Sequence, residues 1–512
     1  MTRRTRSLGP ALALAWVASA ALLGVPAARA AQWLHYDEPD FELYGDATPK
    51  QVAEAVRNMQ VYRYARDTVL PRLKGSDVVR PRVFVLSGST FEQYARSRRN
   101  VAGYVSGRDF SVDIVIDTSS EDWTGTSSIV QHELTHYYLH NAADFALQPW
   151  FDEGLAEYLS TITVERGQLR VGLPAGGRWL NLHSMPWMPL RQVLGASRRS
   201  ATYTSHTAAP AFYAQSWALV HYVNTVKGED AKRIGLMLGY QDRGGSLDDA
   251  IRASFGDGFD AFEERVRKYA RSRSLGYQQQ PAPPLPDLRD KVVRIDEQRG
   301  LTELALMGVR TGREGDPDVK KLVDRLAADT SNLGAAAAQA FIARAAGDWT
   351  AATDALARCA GGAADDETLV LCGDAWLAPY FRGRADATGA DDRTRDAAKQ
   401  AAELYARAWR ANPDNFEAVN SMMLAHTVHR EHGAEIEAQM RGAVERHPRS
   451  AILRMHYAQL QAANGDLPGA RRSLERVLTD TNDPDMRMRV IRNLRGVENE
   501  IARREAQSPR AP

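Results

Sequence analysis

Two histidines and a glutamate lie at a spacing that suits metal-dependent hydrolysis. Residues 130–138 contain His132, Glu133 and His136 in the pattern H-E-x-x-H. Positions four apart lie on one face of a helix, so both histidines can direct an imidazole nitrogen at the same metal ion. Glu133 lies next to them, within reach of a water molecule on that ion. The spacing therefore predicts a metal site with a carboxylate beside it.

A third protein ligand is expected on the next apolar segment, because a catalytic zinc site uses three protein ligands and keeps one position open. Glu153 opens a stretch whose apolar residues have helical spacing, and Pro149 before it is typical of a helix start. Apolar residues also flank the two histidines, and buried polar groups need partners. One ion bound by His132, His136 and Glu153 supplies them. The alternative is an ordinary helix with two histidines and a solvated glutamate.

His140 is a rival third ligand, since it continues the same helix face after His136. A helix rises ~12 Å between His132 and His140, so the two cannot share one ion on a straight helix. No glycine interrupts residues 137–139 to bend the helix there. We therefore expect His140 to have a structural role.

Residues 150–156 read W-x-x-E-G-x-A. Together with H-E-x-x-H, this stretch resembles the gluzincin metallopeptidases, the group that includes thermolysin and the zinc aminopeptidases. The resemblance implies an α+β gluzincin-like metallopeptidase domain. It also implies one Zn²⁺ ion and a general base, with Glu133 as the base and the ion bound by His132, His136 and Glu153.

Two further roles are implied by the same resemblance. Glu157 lies one helical turn after Glu153 and resembles the carboxylate that orients the first histidine; a solvated helix charge is the alternative. Residues 211–223 predict an amphipathic helix, and gluzincins of the aminopeptidase type use a tyrosine from this region to hold the oxyanion. Tyr213 is the candidate and His206 the second, with core packing as the alternative for Tyr213. The chain has no G-x-M-E-N motif, which favours an endopeptidase.

Residues 1–30 have the pattern of a cleaved signal peptide, with arginines at the start, an apolar core over 11–25 and a small-x-small site at 28–30. We therefore expect a periplasmic or secreted protein. No other apolar run is long enough to span a bilayer, so no membrane span is expected in the mature chain. The formal net charge is +1 and no arginine-rich run is present, so nucleic acid is not an expected partner.

Residues 31–275 are predicted as the metallopeptidase domain. A helix is expected over 48–70, a loop over 167–191 and a mainly helical lobe over 142–275; strands are expected at 40–44, 83–86 and 112–117. The last strand directly precedes the histidine helix. The resemblance implies that it lies along the cleft and pairs with the substrate backbone; an ordinary sheet strand is the alternative.

Residues 276–300 are predicted as a Pro-rich linker, and residues 301–512 as an all-α helical solenoid. A Gly-Asp pair recurs at 347–348 and 465–466, and prolines end similar helices. Residues 405–413 resemble the second helix and exit of a tetratricopeptide repeat, which predicts three or four degenerate repeats. Such solenoids bind peptides or partner proteins on a concave face. The alternative is a generic helical bundle.

The two cysteines, Cys359 and Cys372, lie far from the histidines in sequence, so the metal site is not thiolate-based. In an oxidising compartment they can pair, and closing the loop between them would stabilise the fold by ~3 kcal/mol. Two buried free thiols are the alternative.

Taken together, these features predict an exported zinc metallopeptidase that acts on peptide or protein substrates and uses helical repeats for substrate or partner recognition. The alternative is a catalytically inactive or structural metal-fold protein that acts as a tetratricopeptide-type binding or assembly factor. The presence of Glu133 beside the three predicted ligands favours the enzyme.

Overall fold

The computed structural model describes residues 32–507 except 40, 70–79, 96–102, 109–110, 120–122, 143–146, 199, 227, 285–286, 289, 382–391, 430–433, 448–449 and 481–483. The predicted signal peptide, residues 1–30, lies outside the described residues. Within the described residues, no helix combines the length and the apolar character needed to cross a membrane.

Two small sheets are present in the described part of the chain. Their strands are β1 (Leu34–Glu38), β2 (Phe41–Gly45), β3 (Arg82–Leu86), β4 (Gly103–Arg108), β5 (Ser111–Asp117), β6 (Thr163–Glu165), β7 (Gln168–Val171), β8 (Gln278–Pro281) and β9 (Val292–Arg294). The larger sheet has the order β4-β5-β3-β2-β1-β9, with β2, β3 and β5 parallel and the other pairs antiparallel. The smaller sheet has the antiparallel order β6-β7-β8.

The strand before the histidine helix does not lie at the free edge of its sheet. β5 pairs with β3 on one side and with β4 on the other. The expectation that residues 112–117 pair with a substrate backbone is therefore wrong, because the backbone groups of β5 are already engaged in the sheet. β4 occupies that edge. This strand was not predicted from the sequence, because its two glycines and polar residues obscure the alternation typical of a strand.

The N-terminal half contains eleven helices among the described residues. They are α1 (Pro49–Val69), α2 (Gly88–Thr90), α3 (Trp123–Ala142), α4 (Pro149–Leu159), α5 (Gly176–Ser184), α6 (Leu190–Leu194), α7 (Ala201–Thr204), α8 (Ala209–Thr225), α9 (Gly228–Asp242), α10 (Leu247–Phe255) and α11 (Phe259–Ala270). The last eight of them, α4 to α11, form the mainly helical lobe expected over 142–275. A π-helical turn, Phe91–Ala95, follows α2 directly. The predicted loop over 167–191 contains β7 and α5.

The C-terminal half is a succession of helices that pack on their neighbours. They are α12 (Glu297–Arg310), α13 (Pro317–Ala327), α14 (Leu333–Ala346), α15 (Trp349–Gly361), α16 (Asp366–Phe381), α17 (Asp392–Ala411), α18 (Phe416–His429), α19 (Ala434–Arg446), α20 (Ala451–Ala463), α21 (Leu467–Asp480) and α22 (Pro484–Gln507). Cys359 and Cys372 form a disulfide between α15 and α16, with their Cα atoms 6.2 Å apart. The predicted pairing is confirmed.

The recurring Gly-Asp pair forms the junction between two consecutive helices. Gly347 and Gly465 have φ angles of 84° and 85°, a left-handed conformation that glycine adopts without steric cost. The aspartate that follows caps the next helix, since Asp348 accepts a hydrogen bond from Ala351 N and Asp466 one from Gly469 N. One residue pair therefore ends a helix and starts the next.

The larger sheet is buried on both faces by different parts of the chain. Val83 and Val85 of β3 belong to the core shared with the N-terminal helices. Phe84 and Leu86 of the same strand belong to the core shared with the C-terminal helices. A strand buried on both faces is apolar throughout rather than alternating, as β3 is. The C-terminal helices thus complete the sheet.

The segment predicted as a linker contributes structure to both sheets. β8 pairs with β7, and β9 pairs with β1 at the edge of the larger sheet. The polar composition of this segment matches solvent-facing edge strands, which expose most of their side chains. Residues 276–300 are consequently tied to the N-terminal half by strand pairing at two places.

Candidate metal centre

Helix α3 presents one face to the core and a second face to α4. Val130, Leu134 and Tyr138 are buried in the core shared with the sheet. His132 and His136 lie on the neighbouring face and are half-buried. The side chain of His140 lies outside the described residues. The helix therefore holds the two predicted histidine ligands together, one turn apart.

Helix α4 brings Glu153 to the same place. Pro149 occupies its first turn after Gln148, which has the extended conformation of a helix cap, and every residue of the helix is buried. Gly154 allows α4 to approach α8 closely, because a Cβ atom at this position would lie 2.4 Å from the Ser216 carbonyl oxygen. The glycine of the W-x-x-E-G-x-A stretch thus has a packing role beside the candidate ligand.

Three candidate ligand atoms converge in the structure. The Nε2 atoms of His132 and His136 are 3.1 Å apart. Glu153 Oε2 lies 3.5 Å from the first and 3.2 Å from the second. Zinc–ligand bonds of ~2.0–2.2 Å at tetrahedral angles separate ligand atoms by about 3.3 Å. The observed separations match that spacing.

The chemical state of Glu153 also fits a cation. Its Oε2 atom is buried, and its nearest nitrogen neighbours are His136 Nε2 at 3.2 Å and His132 Nε2 at 3.5 Å. A buried carboxylate needs a positive partner, which a protonated histidine or a bound cation supplies. The three residues therefore fit a zinc ion, with His132 and His136 as nitrogen ligands and Glu153 as an oxygen ligand.

Each histidine has a carboxylate at its other ring nitrogen. Glu157 Oε1 lies 3.4 Å from His132 Nδ1, where the resemblance placed it, and accepts a hydrogen bond of 2.5 Å from Arg178. Asp152 Oδ1 lies 2.7 Å from His136 Nδ1. Such partners fix the tautomer and direct Nε2 towards an ion.

Three supporting residues, Asp152, Tyr203 and Arg198, were not identified from the sequence. Asp152 directly precedes Glu153 in the sequence, and this second carboxylate next to the candidate ligand is the only signal that could have indicated its role. Tyr203 donates a 2.6 Å hydrogen bond to Glu153 Oε1. It comes from the four-residue helix α7, which carries no pattern that separates it from a loop. Arg198 pairs with Asp152 from the same region.

The charges of the cluster favour a positive charge between its members. Burial by itself would raise the pKa of Glu153, but its contacts with His132 and His136 lower it to about 2. Burial would lower the pKa of His136, whereas Asp152 and Glu153 raise it to about 10. A proton on His136 satisfies the carboxylates, and so does a divalent cation. Metal binding requires the neutral imidazole and releases that proton.

The remaining candidates are Glu133, Tyr213 and His206. Glu133 is half-buried on α3 and forms no hydrogen bond or ion pair with the described residues. The Tyr213 ring lies 6.0 Å from the Tyr203 ring, and the Arg178 guanidinium is 5.1 Å from its centre. The structure therefore places Tyr213 beside two residues that contact Glu153 or Glu157. His206 is exposed in the turn before α8.

A second group of metal-type residues, His35, Asp37 and Glu42, lies on β1 and β2. Arg80 pairs with Asp37 and lies 3.9 Å from Glu42 Oε2. Glu42 also contacts His35 Nε2 at 2.8 Å. A guanidinium already neutralises these carboxylates, so we assign no metal to this group.

Part of the helical half matches a known protein family. Residues 317–425 match the family described as Tetratricopeptide Repeats-Sensor. A crystal structure of a thermophilic TPR protein from Thermus thermophilus is 18% identical, with a TM-score of 0.28, over 38% of this chain and 98% of that chain. No curated protein matches. The region from α13 to α18 is tetratricopeptide-like, whereas the assignment of the metal centre depends on its geometry.

Proposed function

We propose that this protein is a zinc-dependent peptidase of the gluzincin type, with tetratricopeptide-like repeats that bind a protein partner or substrate. One observation carries the catalytic part: three candidate ligand atoms from α3 and α4 meet at zinc-like separations, and each of the three residues is contacted by a further polar side chain. When bound there, zinc would polarise the scissile carbonyl and increase the acidity of water.

The protein's own side chains would have distinct roles. Glu133 accepts a proton from the attacking water on its carboxylate and donates it to the leaving nitrogen. It is available for this role because no described residue pairs with it. Burial and the charge of Glu153 raise the pKa of Tyr213, so its hydroxyl stays protonated and can donate to the oxyanion.

The supporting residues would hold the ligands in place. Asp152 and Glu157 orient the two imidazoles through their Nδ1 atoms. Burial, followed by the hydrogen bond to Glu153, raises the pKa of Tyr203, which keeps its hydroxyl a donor to that carboxylate. These contacts restrict the ligands before any ion arrives, which lowers the entropic cost of binding.

A second candidate function has its own support. The family match over residues 317–425 favours a binding or assembly factor, because tetratricopeptide-like solenoids bind peptides and proteins. The family match supports this role better than catalysis, since it lies within the repeats. In this alternative the metal centre is structural or inactive.

Export is part of the proposal in both cases. The segment 1–30 has the pattern of a signal peptide, and a disulfide joins Cys359 to Cys372. Disulfides persist in oxidising compartments such as the periplasm or the cell exterior.

Hydrolysis of a mixed peptide library separates the two functions. We expect the purified protein to contain about one zinc ion and to cleave library peptides, to lose cleavage with a chelator and to regain it with added zinc. His132→Ala and Glu153→Ala should lose both zinc and cleavage. Full zinc content in both variants would reject the ligand assignment. A zinc-containing protein that cleaves nothing would favour the binding factor.

A further inference from the structure

A polar groove lies beside the candidate metal centre. A cavity of about 600 Å³ is bordered by α1, α3, β6 and the start of α5. A neighbouring cavity of about 420 Å³ shares Glu54, Gln131 and residues 162–164 with it, so the two form one groove. Glu157 and Arg178 line the first cavity, and Glu157 also contacts His132. The groove therefore adjoins the residues that orient a candidate ligand.

One wall of this groove is the free edge of a sheet. Among the described strands, β6 pairs only with β7. The two join through a two-residue turn, Arg166 and Gly167, with φ angles of 50° and 73°. In such a hairpin the pair flanking the turn exchanges both hydrogen bonds, and the next pair, Val164 and Leu169, exchanges none. The N–H and C=O of Val164 consequently face the groove.

Ile162 lies two positions before Val164, so its backbone carbonyl points in the same direction. The Ile162 carbonyl faces the groove side and accepts a hydrogen bond from Gln131 Nε2 at 3.4 Å. Val164 lacks such a partner among the described residues, and its side chain is exposed. The edge therefore offers one unpaired donor and one unpaired acceptor at Val164.

Gln131 adds a second acceptor at the same wall. Its side chain is 6% exposed, and its Oε1 atom is buried with no hydrogen-bond partner among the described residues. A buried amide oxygen without a donor costs free energy that an incoming N–H would recover. Gln131 and Val164 together present the alternating donors and acceptors that a peptide backbone satisfies.

The charges of the groove suit an uncharged backbone better than an ion. Lys50, Arg57 and Arg178 contribute positive charge, while Glu54 and Glu157 contribute negative charge. The rest of the lining is hydroxyl, amide and aliphatic. A groove with both signs of charge has no strong preference for a phosphate or for a metal cation.

We propose that this groove binds an extended segment of the polypeptide substrate, which adds to β6 as a further strand and hydrogen-bonds to Val164 and Gln131. This inference rests on the proposed peptidase function and specifies where part of its substrate lies. Strand addition recognises main-chain atoms, so it suits an enzyme that accepts unfolded chains of varied sequence. The substrate would enter beside Arg178 and Glu157.

Substitution at Val164 tests the backbone contact directly. Val164→Pro removes the outward N–H, which no ladder hydrogen bond uses, and proline is compatible with an edge strand. Val164→Ala keeps the N–H and removes most of the side chain, so the difference between the two variants isolates the backbone donor. Both are made in the Glu133→Gln background, so that bound probe is not cleaved.

The probe is fluorescein-labelled β-casein, an unfolded polypeptide, and its Kd is measured by anisotropy. We expect Val164→Pro to raise the Kd about tenfold relative to Val164→Ala, the effect of one hydrogen bond. Equal Kd values for the two variants would overturn the proposal, and so would the absence of casein binding to the Glu133→Gln protein.

A misfolded Val164→Pro variant would also bind casein weakly, so a crosslinking measurement tests the groove without that substitution. A benzophenone amino acid placed at Glu54, inside the groove, should crosslink to casein, whereas the same group at Leu236, exposed on α9, should not. Equal crosslinking at both positions would contradict the groove.

The result also separates this inference from the peptidase function. Binding that depends on Val164, without hydrolysis by the wild-type protein, supports the groove and contradicts the peptidase. Hydrolysis with the same KM in Val164→Pro and Val164→Ala contradicts the groove and leaves the peptidase intact.

Discussion

At the residue scale, the metal centre consists of three candidate ligands and the residues that hold them. His136 is held by Asp152, His132 by Glu157 and Glu153 by Tyr203. Each supporting contact uses an atom that would not face an ion. The arrangement resembles a site in which ligand orientation is set by the protein before the metal binds.

Asp152→Asn tests this support without removing a ligand. The amide cannot stabilise a fixed imidazole tautomer as a carboxylate does, so we expect zinc affinity to fall by about 10–100-fold. Competition with a chromophoric chelator measures the affinity. The matched control is Asp248→Asn, which removes an exposed carboxylate paired with Arg191. Unchanged affinity in the Asp152 variant would show that the aspartate does not support the site.

The sequence predicted the three residues whose side chains converge, but only part of their surroundings. His132, Glu133 and His136 follow from helical spacing, which needs no tertiary information. Glu153 was expected on the next apolar segment as a third ligand, and Glu157 followed from the resemblance. Tyr203 could not be predicted, because its contact with Glu153 depends on how a short helix packs fifty positions later in the chain.

At the element scale, the site depends on the close approach of α4 to α8. The two helices meet where Gly154 faces the backbone of Ser216. Because α4 is buried on all sides, a displacement of this helix cannot be absorbed by solvent-exposed residues. The position of Glu153 relative to α3 is thereby linked to the packing of α8.

Gly154→Ala should therefore disturb both stability and zinc binding. The added Cβ atom meets main-chain atoms that cannot rotate away, and overpacking of this kind costs about 1–3 kcal/mol. Urea unfolding and zinc analysis measure the two effects. Gly235→Ala in α9 is the control, because its Cβ would meet open space. Wild-type stability and zinc content in Gly154→Ala would contradict the packing argument.

Among the strands of the larger and smaller sheets, some were predicted from the sequence and others were not. β3 and β5 were predicted within one residue of their observed ends, since buried apolar runs give a clear signal. β8 and β9 were not predicted as strands, because they are only four and three residues long and are held by long-range pairing. The local sequence does not indicate which distant strand a segment will pair with.

At the scale of the whole molecule, the C-terminal helices complete the sheet of the N-terminal half. A buried ionic cluster marks the contact between them. Arg310 of α12 donates hydrogen bonds of 3.0 and 3.2 Å to Asp113 of β5, and Arg82 of β3 contacts both Asp113 and Glu367 of α16. Burial would raise the pKa of Asp113, but Arg310 and Arg82 hold it below its usual value.

Arg310→Ala should weaken the contact between the two halves. It leaves Asp113 buried with one fewer positive partner, and breaking a buried ion pair costs about 3 kcal/mol or more. The free energy of unfolding measured with urea reports this loss. Arg191→Ala, which breaks an exposed pair with Asp248, is the control and should cost at most about 1 kcal/mol. Equal losses in the two variants would contradict a coupled fold.

The sequence did not predict this coupling. A polar segment between two compositional regions favours two independent domains, and residues 276–300 have that composition. Arg310 and Asp113 are 197 positions apart, so no local pattern indicates their contact. The packing of the C-terminal helices on the sheet is recognised only when the residues on both faces of the sheet are assigned to their cores.

The most direct test of the central claim compares Glu133→Gln with the wild type on a peptide that the wild type cleaves, at equal zinc content. Glutamine is nearly isosteric but cannot accept the proton, so we predict unchanged zinc content and melting temperature and a turnover reduced by at least about 100-fold. Glu153→Gln should instead lose zinc and activity together. Wild-type turnover in Glu133→Gln would contradict the proposed chemistry, whatever the zinc content.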